Sequence, residues 1–167
     1  NPEAYRGMER QRAIDALVAA KLSRGLELPR VDTDGRFARA IRLADADAGF
    51  HARIEARYEQ IWTAYWWFDD FAALNSGYAA LEQHIETADH SRTLEFFVNL
   101  LQLLVSSVLH GHLSVEEAQL AARAERLSLA LKAMAADHDR PNNQLEAETS
   151  LHIIDLNRAA LARDSDA

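Results

Sequence analysis

The chain contains no cysteine, which excludes disulfides and any metal centre built on thiolates. A cysteine-free chain fits a reducing compartment, and a cytoplasmic location is expected. Glycine and proline are scarce, at 6 and 3 of 167 residues, so few points can interrupt a helix. No segment alternates Val, Ile, Thr and aromatics in the manner of a strand. The most apolar run, residues 94–109, is interrupted by Glu95, Asn99, Gln102, Ser106 and Ser107. It is too short and too polar for a bilayer span, reads as a central buried helix, and gives no reason to expect a membrane partner. The opening Asn1-Pro2-Glu3 is neither an initiator Met nor a signal peptide, and both ends read as boundaries within a larger protein.

Positive charge is also in short supply: 18 Lys and Arg against 26 Asp and Glu give a net charge of −8. It is unevenly spread, because residues 1–57 carry 11 against 9 and residues 58–167 carry 7 against 17. Phosphate binding needs clustered positive charge, so nucleic acid is not expected as the main partner.

What remains is rich in alanine and leucine, and the 49% of hydrophobic residues is enough for a sizeable core. The expectation is an all-α fold of antiparallel helix hairpins, either a tetratricopeptide-like solenoid or an irregular helical bundle. Helices are expected over about 2–26, 36–45, 50–68, 71–87, 91–109 and 114–136, with a loop over 137–143 and a last helix from there to about 163. Pro2 opens the first, on which Ile14, Leu17, Val18, Lys21 and Leu22 form a mostly apolar stripe. Residues 28–35, with Pro29 and Gly35, read as the clearest loop. Ser91 or Asp89 would cap the fifth helix, Gly111 would end it, and Ser114 with Glu117 forms a capping box for the sixth. The whole of 1–167 reads as one domain, with N-terminal helices in 1–48 and helix hairpins in 50–167.

The third helix is the most informative. Ile54, Tyr58, Ile61, Tyr65 and Phe68 recur at spacings of four and three and form one packing stripe, with Trp62 at its edge. Trp66 and Trp67 point away from that stripe, together with Glu59 and Thr63. Either the helix over 36–45 packs across these tryptophans, or they stand exposed and suit a binding hot spot.

Residues 58–81 resemble a tetratricopeptide repeat, a helix–turn–helix unit of superhelical solenoids. The likeness rests on Ile61-Trp62, Tyr65, Asp70-Phe71 at the turn, and Leu74, Tyr78 and Leu81. Asp139-Arg140-Pro141-Asn142-Asn143 is similar to the Pro-Asn-Asn link between such repeats. Trp62 replaces the family's Gly, Asp69 replaces the turn Gly, and Leu74 and Leu81 replace two Ala. The turns at 69–70 and 111–112 lie about 42 residues apart, against roughly 34 for the family. The resemblance implies that the face carrying Glu59, Thr63, Trp66 and Trp67 lines a concave peptide-binding groove.

No arrangement suggests catalysis. Asp69-Asp70 lacks a third carboxylate and is explained by an Asp-capped turn. His51 with Glu55, and Glu148 with His152, have the wrong spacing for the Glu-x-x-His pairs of a dimetal bundle. His110 and His112 lack further ligands, so no metal and no cofactor are expected. Arg36, Arg39 and Arg42 spiral along one helix and could dock an acidic segment. The function expected is a non-catalytic interaction module of a larger regulatory protein, binding a protein or peptide partner or another domain of its parent chain. The alternative is a ligand-sensing bundle with a small-molecule pocket among Trp62, Trp66, Trp67 and Tyr78.

Overall fold

A computed structural model describes residues 2–47 and 49–165, with side chains over 11–46 and 49–163. It contains helices α1 (Pro2–Gly25), α2 (Arg30–Asp47), α3 (Phe50–Phe68), α4 (Phe71–Leu81), α5 (Ser91–Leu109), α6 (Val115–Ala118), α7 (Leu120–Ala135) and α8 (Pro141–Ser165). A 3₁₀ stretch, Glu82–Thr87, continues α4, and among the described residues there is no strand. The fold is an all-α helical bundle architecture. It divides into two compact units, Asn1–Asp69 and Asp70–Ala167. Helix α3 belongs with α1 and α2 because it packs on both. The two helices joined by the tetratricopeptide resemblance, α3 and α4, therefore fall in different units.

In the first unit, α2 packs back along α1 after a short turn, and α3 packs mainly on α2 and to a lesser extent on α1. The seam is made largely of small residues: Leu17, Ala20, Phe37, Ala40, Ala44 and Ala56 form its core cluster. Alanines let the helix backbones approach closely, and this corrects the expected apolar stripe of α1. The helix buries Ala13, Leu17, Ala20 and Ser23, whereas Ile14, Val18 and Leu22 are turned outward at 46, 49 and 60% exposure.

The loop expected over 28–35 is also corrected, since α2 starts at Arg30. The Pro29 carbonyl accepts from the Asp32 and Thr33 N–H groups at 3.0 and 3.1 Å, and Asp32 sits in the first turn, where a negative charge suits the helix dipole. The actual turn is short and closed by Glu27 at φ 53°, with Leu28 N–H donating to Ser23 O and Glu27 N–H to Arg24 O, a Schellman-type ending.

The second unit is organised around α5, whose Leu94, Phe97, Leu100, Leu101 and Leu104 are at most 1% exposed. Each such side chain contributes about 1.5–3 kcal/mol through burial. Its polar residues Glu95, Asn99, Gln102 and Ser106 recur at spacings of four, three and four, so they share one stripe and leave the rest of the helix to α4, α7 and α8. Alone among the described helices α5 is long and apolar enough to cross a membrane, and more than half of it is buried within the protein. Its start is capped by His90, whose ring Nδ1 accepts from Arg92 N–H, and not by Ser91 or Asp89. Ser91 is buried and tied to α8 through Asn143 at 3.0 Å and through Glu146. Gly111, at φ 73°, ends α5 as expected, with His112 N–H donating to Ser107 O.

Ser114 and Glu117 form the expected capping box. The helix they open is nevertheless broken at Gln119, which adopts φ 47° and ψ 36°, so that α6 and α7 replace one helix over 114–136. Ala118 and Leu120 would point about 200° apart in a continuous helix. The break lets both be buried, at 0 and 4% exposure.

Candidate interaction surface

Helix α3 ends where Asp69 takes the left-handed conformation and Asp70 caps α4 by accepting from Ala73 N–H at 2.9 Å. The Asp-Asp pair is thus a C-cap followed by an N-cap. Upstream of it, Tyr58, Trp62 and Trp66 form an aromatic ladder at i, i+4 spacing, with ring centroids 5.6 and 5.8 Å apart. Tyr65 meets Trp66 edge-on at 4.9 Å. The ladder rises from the core to the surface: Tyr58 is buried, Trp62 half-buried, and Trp66 is 55% exposed. Trp67 is 42% exposed. Helix α2 therefore does not cover the tryptophans.

Two arginines from the α1–α2 corner roof this end of α3. The Arg24 guanidinium lies 4.9 Å from the centroid of the Trp67 ring, and that of Arg30 lies 5.2 Å from the Phe68 centroid. Leu26 and Val31, on either side of the same corner, are 71 and 76% exposed. Exposed aromatics held edge-on or under a cation lose little rotamer freedom when a partner covers them, which favours binding.

Glu59 and Thr63, expected on the same open face, are instead buried at 8 and 1% exposure. Arg24 Nη1 donates to Glu59 Oε2 at 2.7 Å and to Thr63 Oγ1 at 2.8 Å, and Lys21 Nζ lies 2.7 Å from Glu59 Oε1. One carboxylate thus fastens two cations of α1 onto α3. These groups position the aromatic end and are not free to meet a partner themselves. Sequence reasoning misses the role of Lys21 and Arg24. The detectable signal is a charged pair one turn apart on the side of α1 that packs against α3.

The arginines of α2 lie elsewhere in the unit. Arg36 and Arg39 line a cleft of about 640 Å³ with Arg12, Asp15, Ala16 and Ala19 of α1. Arg36, Arg39 and Arg42 are exposed and make no hydrogen bond or ion pair among the described residues. Their neighbours are already paired: Arg57 grips Asp45 through two bonds of 2.8 Å, holding its carboxyl below the usual carboxylate range, and Arg30 pairs with Asp34. The cleft is therefore a local cationic site in a unit whose other described ion pairs are closed.

The remaining sequence candidates lie in the second unit. Tyr78 is in its core, and so in a different unit from the tryptophans with which a shared pocket is expected. His112 stacks on Phe71 with ring centroids 3.9 Å apart, and the His110 Nδ1 lies 2.8 Å from Ser106 O. Among the described residues no three His, Asp or Glu side chains group together as a metal site. Compared with protein-family models, curated proteins and solved structures, the chain finds no match.

Proposed function

We propose that this chain is a non-catalytic interaction module of a larger regulatory protein, working in the cytoplasm. Its partner is a protein or peptide segment, or another domain of the parent chain. The observation that carries the reading is the pair Trp66 and Trp67, exposed at the end of a rigid helix and braced by Tyr65 and Arg24. Tryptophan is among the residues most enriched in the hot spots of protein interfaces, and pre-ordered tryptophans bind at low entropic cost. Arg36 and Arg39 supply a separate cationic cleft that suits an acidic stretch of the same partner. The groove implied by the tetratricopeptide likeness is retained here only for its tryptophans.

A photo-crosslinking residue at position 66 tests the reading, with position 129, an exposed leucine of the second unit, as control. The expected result is one partner crosslinked from 66 and not from 129. Trp66→Ala should then weaken that partner by about 2 kcal/mol, roughly thirtyfold, while the variant stays folded and melts cooperatively. Reversing Arg36 and Arg39 to Glu should slow association and flatten its salt dependence. Equal crosslinking from both positions, or undiminished binding by folded Trp66→Ala, sinks the proposal.

A further inference from the structure

The second unit holds a cleft of about 450 Å³ where α5, α6, α7 and α8 meet. Leu101, Val105, Val115, Leu120, Ile154 and Leu161 give it apolar walls. Its volume lies in the range of small-molecule sites, about 300–1,000 Å³. The break at Gln119 shapes it. Val115 and Leu120 would stand about 140° apart on a continuous helix, and the left-handed residue between them brings both to one cleft.

One polar group breaks the apolar lining. Asn157 lines the cleft, and its amide Nδ2 is shielded from water without a hydrogen-bond partner among the described residues. A buried amide donor left unpaired is unfavourable. The terminal torsion of asparagine is soft, so rotation about it offers the amide to an acceptor held in the cleft that its own residue lines. The bond is then gained only when the cleft holds an acceptor.

The charges at the lip define what that acceptor is. Arg158 lies 3.4 Å from Glu125 and 3.5 Å from Asp155, so the one cation of the lining is already matched by carboxylates. Residues 70–167 carry 7 Lys and Arg against 15 Asp and Glu, a net charge of −8 that disfavours an anion. We propose that the cleft binds a neutral, apolar small molecule bearing a carbonyl oxygen, which accepts from Asn157 Nδ2 while its chain lies against the leucine and valine walls. This site is independent of the tryptophan surface and does not rest on its function.

The test is a titration of the full chain, methyl-labelled at Leu, Val and Ile, with three nine-carbon probes: 2-nonanone, n-nonane and nonanoate. The expected result is saturable shifts confined to the methyls of Leu101, Val105, Val115, Leu120, Ile154 and Leu161. The ketone should bind about tenfold more tightly than the hydrocarbon and the carboxylate. Asn157→Leu should abolish the preference of ketone over hydrocarbon while leaving hydrocarbon binding in place. Ala121→Phe, at an exposed position of the lip, should block all three. Absence of shifts in these methyls overturns the proposal, as does equal binding of ketone and hydrocarbon by the unaltered protein, a comparison that needs no variant to fold. Preferential binding of nonanoate overturns the neutral head group.

Discussion

Tyr78 lies with its ring fully buried, its hydroxyl unpartnered among the described residues, and the Arg123 guanidinium 4.9 Å from its ring centroid. Arg123 is itself buried, donating to Asn75 Oδ1 at 2.6 Å and to Ala118 O at 2.9 Å. Burial pushes the phenol well above the ordinary tyrosine range and outweighs the opposing pull of the Arg123 charge. The folded pKa is thus above the unfolded one. The stability it carries is fully present below about pH 10 and is lost progressively as pH rises from there through the raised folded value. Tyr78→Phe keeps the ring under Arg123 and removes the unmet hydroxyl. It should leave stability at pH 7 unchanged or raise it by about 1 kcal/mol, and flatten the decline above pH 10. Urea melts at both pH values decide it, and a clear loss at pH 7 would mean that the hydroxyl has a partner. At this scale the exposure of Trp66 and Trp67 is legible as one open alternative, since helical geometry alone sets them off the packing stripe. The burial of Glu59 and Thr63 is not, because their partner Arg24 is 35 and 39 residues away in sequence.

Seven helical segments are readable from the sequence, whereas several helix ends, the split between α6 and α7 and the start of α8 at Pro141 inside an expected loop are not. The discrepancies share a cause: tertiary packing overrides the local preference of a single residue. Gly35 reads as a loop residue, yet it lies inside α2, exposed, with open space around the position a Cβ would take. Conversely, α6 and α7 are separated at a glutamine with no breaker character, where the break allows Ala118 and Leu120 both to be buried. Glycine within a helix forgoes about 0.5–1 kcal/mol relative to alanine. Gly35→Ala should therefore stabilise the first unit by about that amount and increase helicity by circular dichroism. A destabilised variant would mean that residues 30–35 form a loop and not the first turns of α2.

At the scale of the molecule, the two units differ in how they are stabilised. The first has a net charge of zero, with 11 Lys and Arg and 11 Asp and Glu in residues 1–69, and, beside the buried Ile54, Tyr58 and Ile61, a core cluster in which four of six residues are alanine. The second carries −8, but its core holds Leu74, Tyr78, Leu81, Ile85, Leu94, Phe97 and Leu127, none more than 1% exposed. Small domains bury a lower fraction of their surface and are marginal without large core side chains. The division is hidden in the sequence because the repeat-like pattern groups the aromatic helix α3 with α4, whereas its packing partners are α1 and α2. A fragment of residues 70–167 should consequently fold alone and melt cooperatively, while residues 1–69 alone should be only marginally stable. Added salt should raise the melting temperature of the acidic fragment by screening its self-repulsion, and affect residues 1–69 much less. Circular dichroism melts of both fragments at low and high salt make the comparison. An acidic fragment that is unfolded at every salt concentration would show that the large buried side chains of the second unit do not suffice, and that the division describes geometry and not folding.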